Sequence, residues 1–267
     1  MREPLRDPSE PSPTKGPHVI ELRVPGPWAS PQQLDERLVK SKTGWRLDSG
    51  YLVHEKSGAK VESGVTEHDD ELAPLFRGCY NAHAMTEEEL VALGAHNVKV
   101  HVWGPGGSPD AARPIVRAAG ALVRAGGLGV FVDNSGLCHA PRDFLKLADD
   151  EQPGGLFWTF VALTGSHQRG EKPDAIWSMG MHCLGFRDAE LRDVPDDPQL
   201  AAFVIHNFLG YAYQSGAVIN DGDMIGSPDE PQFRVREEPD ARVPPDHPMH
   251  NPYGYWILEP VYEQNDE

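Results

Sequence analysis

In segment 18–24, Ile20, Leu22 and Val24 share one face while Glu21 and Arg23 point the other way. That period of two is the mark of a half-buried strand. Ser30-Pro31-Gln32-Gln33 then reads as a helix start, with a serine cap, proline at the first helical position and glutamine three after the cap. Leu34 and Leu38 follow at the i, i+4 spacing of a core-facing stripe. Segments 45–55 and 59–66 read as a hairpin around Lys56-Ser57-Gly58.

The most informative stretch is 85–141, which reads as helix, strand, glycine-rich turn, helix, strand. Thr86-Glu87-Glu88-Glu89 is a capping box that opens a short helix ending near Gly94. Val98, Val100 and Val102 line one face of the next strand; Lys99, His101 and Trp103 line the other. Ser108 caps a helix that begins at Pro109. Its apolar stripe is Ile115, Val116, Ala119, Leu122 and Val123, and Gly126-Gly127 stops it. Segment 128–132 is apolar at every non-glycine position, as in a strand covered on both faces. Two strands joined by a helical crossover build a sheet with a loop-rich edge.

Pro153-Gly154-Gly155 marks the best internal boundary. Segments 156–163 and 175–186 are expected as strands. Segment 199–215 is expected as the longest helix, with Leu200, Phe203, Val204, Phe208 and Tyr211 inward and Gly216 at its end. A strand at 217–219, a proline-rich loop at 239–252 and a last strand at 254–261 complete the reading. The fold class is therefore α+β: two small mixed-sheet units, 18–152 and 153–267, packed as one body. Residues 1–17, with five prolines and little to bury, are expected to be a disordered tail.

Composition narrows the function. Lys plus Arg is 24 and Asp plus Glu is 41, a formal charge of −17. Such a chain repels phosphate backbones, which argues against nucleic-acid partners and suits a basic protein. Three cysteines, Cys79, Cys138 and Cys183, are too few and odd for a disulfide framework, and a reducing, cytoplasmic home is expected. No apolar run approaches the roughly 20 residues of a membrane span, so no membrane partner is expected.

Four places carry candidate chemistry. Gly106-Gly107-Ser108 joins a strand to a helix N-terminus and can cradle an anion, but it is neither G-x-G-x-x-G nor a P-loop, and a capped turn explains it. The polar cluster Asp133, Asn134, Ser135, Cys138 and His139 follows a buried strand, where an α/β sheet usually places its functional groups. Asp133, Ser135 and His139 are the candidate catalytic set, although no nucleophile elbow is present. His101, His139 and His182 would form a metal site only by converging in space, since no local ligand pair fixes them. Asp221 and Asp223, around Gly222, have the oxygens a hard cation needs, but they also spell an ordinary turn. His182 and His101 also stand as binding candidates, Cys183 is assigned to the core, and no cofactor is expected beyond a possible metal ion.

The motifs N-A-x-A-M-T-x-E-E at 81–89, H-x-V-x-V at 96–100, G-G-S at 106–108 and A-G-G-x-G-V…S-G-x-x-H at 125–139 resemble the bacterial family called domain of unknown function 4261. Ser178-Met179-Gly180-Met181-His182…Leu184-Gly185 and the Asp221-Gly222-Asp223 turn are similar to it too. The resemblance covers the chain from about Asn81 onward. It implies a bacterial, soluble, non-secreted protein and assigns no catalytic residue. The leading expectation is a non-enzymatic, immunity-type or regulatory protein-binding module. The alternative is a metal-dependent or Ser/His hydrolase around Asp133, Ser135 and His139.

Overall fold

A computed structural model describes residues 19–79, 85–166, 173–192, 194, 198–226 and 231–261. The expected tail at 1–17 and the motif residues 81–84 lie outside them. Strand β1 (Val19–Gly26) does bury Ile20, Leu22 and Val24. Helix α1 (Pro31–Lys40) follows with Ser30 accepting the Gln33 N–H and with Leu34 and Leu38 inward. The expected hairpin is three strands rather than two. A left-handed Ser49-Gly50 pair splits its first arm into β2 (Trp45–Asp48) and β3 (Tyr51–His54), ahead of β4 (Lys60–Glu67). Helix α2 (Leu72–Gly78) was not legible. Helix α3 (Glu87–Gly94) starts at the expected Thr86–Glu89 capping box.

Strand β5 (Val98–Pro105) leads through helix α4 (Pro109–Arg124) to β6 (Val130–Val132) and the short β7 (Leu137–His139). The first sheet has seven strands in the order β2-β3-β4-β5-β1-β6-β7. Both β5 and β6 pair antiparallel with β1, so the α4 crossover spans the strand that lies between them. All five expected stripe residues of α4 are buried. At the helix end, Trp28 donates its indole N–H to the Ala125 carbonyl at 2.9 Å.

Helices α5 (Pro141–Asp149) and α6 (Pro153–Phe160) come next. Segment 156–163 is thus mostly helix rather than strand, with only β8 (Ala162–Gly165) extended. Its run Leu156, Phe157, Phe160 is buried, and a short apolar run has no period to separate buried helix from buried strand. Gly155 decides the packing: a Cβ there would sit 2.8 Å from the Leu147 carbonyl oxygen of α5.

The expected strand at 175–186 ends early, at β9 (Ala175–Met179). Gly180 then takes φ +101° and turns the chain into a 3-10 turn, Met181–Leu184, before β10 (Asp188–Arg192). Helix α7 (Pro198–Ser215) is the longest, as expected, but it is rotated. Ala201, Ile205, Phe208, Leu209, Ala212 and Tyr213 face inward. Of the five residues expected there, Phe208 is buried and Val204 is half-buried, while Leu200, Phe203 and Tyr211 are exposed. Segment 217–219 is loop rather than strand. Strands β11 (Met224–Ile225) and β12 (Gln232–Glu238) were missed, and β13 (Tyr255–Val261) matches the last expected strand.

The second sheet has six strands in the order β11-β12-β13-β10-β9-β8. Helix α7 packs on one face, where Phe208 meets Trp256 edge-on at 5.4 Å. The proline-rich loop 239–252 covers the other face. Its Arg242 lies 4.0 Å above the Tyr255 ring and 5.1 Å above Trp177, and pairs with Glu190. One continuous buried cluster runs from Ile20 and Val102 through α4 to Leu191 and Leu258. A second, smaller cluster lies under α2 and α3.

The cysteines correct the sequence reading. Cys79 and Cys138 are bonded to each other, and only Cys183 is free, buried in the core. Spacing could not announce a pair brought together by the fold across 59 residues.

Gly180→Ala is expected to cost at least about 2 kcal/mol, since a Cβ would land on the Phe160 carbonyl oxygen at a left-handed position. Urea denaturation measures it; a loss below about 0.5 kcal/mol would refute the constraint.

Candidate functional site

Strand alternation splits the first sheet into two chemically different faces. Leu22, Val24, Val100 and Val102 look toward α4. Glu21 and Arg23 look the other way, paired in register with Trp103 and His101, and Arg23 is also paired with Phe131. This second face holds a charge network. His101 Nδ1 lies 3.1 Å from Glu21 Oε1 and its ring stacks on Trp103 at 5.4 Å. Arg23 grips Asp133 with two N–H donors, and its guanidinium lies 5.6 Å from the Phe131 ring. Lys99 pairs with Asp69, in the loop before α2.

Beside it two histidines meet, His68 from the same loop and His96 from the turn between α3 and β5, with pKa values shifted in opposite directions. His96 gives its Nδ1 proton to the Leu93 carbonyl at 2.8 Å, so its Nε2 accepts the Asp69 N–H at 3.1 Å. Burial lowers its pKa, which keeps it neutral. His68 stacks on it at 4.4 Å and points its two nitrogens at the His96 carbonyl and at Asp70. Those two bonds raise its pKa, the carbonyl first.

Two carboxyls of the charged face are pushed apart. Burial, and then the Glu21 charge, push Asp133 up to about 7 against the pull of Arg23. For Glu21, the effect of burial is outweighed by the His101 hydrogen bond and by the His101 and Arg23 charges, so its pKa falls. The face therefore contains a carboxyl that exchanges a proton near neutrality and a neighbour that stays ionised. Asp69 is held low chiefly by its bond to Lys99.

The candidate catalytic set does not converge. Cys138 is paired with Phe131, which puts it on the Arg23 and His101 face. His139 is the next residue, so it faces the opposite side, beside Val130 in the core. There His139 is buried with Nε2 at 3.0 Å from the Thr159 carbonyl, and burial lowers its pKa. His101 and His139 are thus separated by the sheet itself. Ser135 is fully buried, and its hydroxyl finds no partner among the described residues. His182 sits in the 3-10 turn, with Nε2 at 3.1 Å from Asn134 Nδ2 and from the Pro248 carbonyl. Among the described residues no group of three or more His, Cys, Asp or Glu is placed to hold a metal.

The other candidates are committed to the fold. Ser108 Oγ accepts the Ala111 N–H, and the Gly107 N–H donates to the Cys183 carbonyl at 3.0 Å rather than to an anion. Asp223 accepts the Asn220 N–H, and Asp221 accepts the Glu237 N–H, as in an ordinary turn beside β12.

Asn134 belongs to the polar cluster that the sequence singles out, but the sequence assigns it no role. Its Oδ1 accepts the Glu21 N–H at 2.9 Å, and its Nδ2 lies 2.9 Å from the Val19 carbonyl and 3.1 Å from that of Pro248. A second buried hub is Asp188. It accepts from Ser178 Oγ at 2.7 Å, Asn251 Nδ2 at 2.6 Å and the Met181 N–H at 3.3 Å. Burial pushes it up to about 6. The only sequence signal for Asn134 was its place at the end of a buried strand, and the neighbouring Asp133 and Ser135 drew the attention.

The surface carries a different feature. On the α7 side turned away from the sheet, Leu200, Phe203 and Tyr211 are exposed, Phe203 by 62%. Trp158 of α6 is 53% exposed and stacks on His206 of α7 at 4.4 Å. Neither helix contains an Asp, Glu, Lys or Arg.

These features define a two-sheet α+β protein with a charged internal face and an uncharged apolar outer one. Residues 177–249 match the family described as Domain of unknown function (DUF4261). They run from β9 into the proline-rich loop and bear out the family resemblance over that span. No curated protein and no solved structure matches the chain. No helix among the described residues is long and apolar enough to cross a membrane.

Asn134→Ala is expected to cost about 2 kcal/mol, because it removes a fully buried amide and its bonds to the Glu21 N–H and to the Val19 and Pro248 carbonyls. Ser135→Ala should be neutral or slightly stabilising; equal losses for the two in chemical denaturation would refute the hub. For Asp133 the sign is fixed by a folded pKa above the unfolded one. The native state binds more protons between pH 4 and 7, so this carboxyl makes stability fall as pH rises through that window. Asp133→Asn should flatten the stability-versus-pH curve there by up to one proton; an unchanged slope would show that Asp133 ionises normally.

Proposed function

We propose that this protein is a protein-binding module, of regulatory or immunity type, that docks a basic partner through the α6–α7 face. The observation that carries the reading is the exposed set Trp158, Phe203, Tyr211 and Leu200 on two helices without Asp, Glu, Lys or Arg. A helix that is apolar on both sides has one side for the core and one for something else. Large exposed apolar groups gathered on one face are the usual anchor of a protein interface, and aromatic anchors dominate binding energy.

Charge selects the partner. The chain has a net charge of −17, so an acidic partner is repelled at long range and a basic one is drawn in. The uncharged helices then offer a centre that can be desolvated without stripping water from an ion, which leaves the charges to the rim. The acid–base groups of the first sheet do not compete with this reading. Each is paired with another protein group, and the candidate nucleophile Ser135 does not stand beside His139 or His101.

The test compares cross-linked complexes from host lysate for the wild type and for Phe203→Asp with Tyr211→Asp. Val39→Asp on α1 is the control, since Val39 is also an exposed apolar residue, at 54%. Loss of one basic protein from the α7 variant, with retention in the control, is the expected result, and binding should weaken at least tenfold when remeasured with the purified partner. Identical capture by all three proteins would sink the proposal.

A further inference from the structure

Helix α2 is a poor helix by itself. It has seven residues, lacks a side-chain cap at its N-terminus and is followed at once by Cys79. A helix that short does not persist without tertiary ties. Three kinds of tie hold it. Leu72 and Phe76 are buried with Leu90 and Leu93 of α3, against Phe131 and Cys138 of the first sheet. The preceding loop is held by the Asp69–Lys99 pair and by the His68–His96 stack. The third tie is covalent, from Cys79 to Cys138 on β7.

The small cluster under α2 and α3 is separate from the main core. It packs on Phe131, the residue in register with Arg23, so it lies on the sheet face that carries Arg23, Asp133, Glu21 and His101. The two sulfurs differ in access. Cys138 is 2% exposed within the cluster, whereas Cys79 is half-buried at the helix end.

We propose that the Cys79–Cys138 bond is a reversible thiol–disulfide fastener that clamps the α2–α3 cover onto the charged face and is opened by dithiol reductants. One thiolate of the reductant attacks the sulfur of Cys79, the less buried residue of the two. The S–S bond breaks, a mixed disulfide forms on Cys79, and Cys138 leaves as a thiolate that takes up a proton. The second thiol of the reductant then displaces Cys79, which also takes up a proton. The reductant ends as its own disulfide, and the protein has gained two electrons and two protons. With the bond cut, the small apolar cluster, the Asp69 and His68 contacts and the Glu89–Arg142 ion pair hold the cover among the described residues.

The test uses the full chain, air-oxidised or equilibrated with dithiothreitol buffers of graded potential. Thiols are counted by alkylation in denaturant, and amide hydrogen exchange is followed on the native protein. One reactive thiol, Cys183, is expected in the oxidised chain and three in the reduced chain. Exchange in α2 and α3 should rise at least tenfold on reduction, stay unchanged in α4, and recover on reoxidation. Cys79→Ser should exchange like the reduced protein under oxidising conditions. Three thiols after air oxidation would overturn the proposal, as would unchanged exchange in α2. Loosening of α4 together with α2 would overturn it too, because the bond would then be a staple of the whole fold.

Discussion

A buried side-chain amide at position 134 is the constraint on which the two-sheet architecture depends. Where β1 begins and β6 ends, the β1–β6 register stops at Leu22–Val132, and the Glu21 N–H and the Val19 carbonyl lie beyond it. Asn134 takes them over, and also reaches the Pro248 carbonyl of the loop that covers the second sheet. An amide is suited to this because it donates and accepts at once, where a carboxylate could only accept and a hydroxyl would be too short. Asp188 has the complementary role on the other side of the junction, taking three donors from β9, the 3-10 turn and the proline-rich loop. The proline-rich loop therefore belongs to the fold proper: two buried polar hubs hold it, and Arg242 is stacked between rings on the sheet beneath.

The first sheet then poses a second problem, since one of its faces is charged. Its network is closed almost pairwise, Arg23 with Asp133, Lys99 with Asp69 and Glu21 with His101. Burying paired ions gains little stability over apolar packing, so such a face is better at fixing one arrangement than at adding strength. Its cover is correspondingly light, two short helices with a core of their own. The outer side of α7 shows the opposite choice: apolar groups in water and no charge at all.

The local signals in the sequence were reliable where chemistry acts over a few residues. Caps at Ser30, Thr86 and Ser108 started helices where they should, and the α4 stripe faced the core. They failed where the deciding contact was distant. Segment 156–160 is helical because of its close approach to α5, which Gly155 permits. For α7 the apolar residues run all round the helix, so the sequence offered two faces and no reason to prefer the one containing Ala201, Leu209 and Ala212. The candidate site was half legible. Alternation along β1 and β5 separated Glu21, Arg23 and His101 from the core, but the sheet register that joins them to Asp133, and that parts His101 from His139, is a long-range fact. The pairing of Cys79 with Cys138 is of the same kind.

The pairing of β10 with β13 is the only parallel one among the described strands. It sets β13 in the middle of the second sheet, between β10 and β12. During vectorial synthesis, β8, β9, β10 and α7 leave the ribosome well before the strand that joins them to β12. Until β13 arrives, β10 exposes one bare hydrogen-bonding edge and β12 another, and α7 has only part of its sheet to pack on. This half of the molecule therefore folds after its last strand emerges, and nascent chains carry two open edges of the kind that chaperones shield.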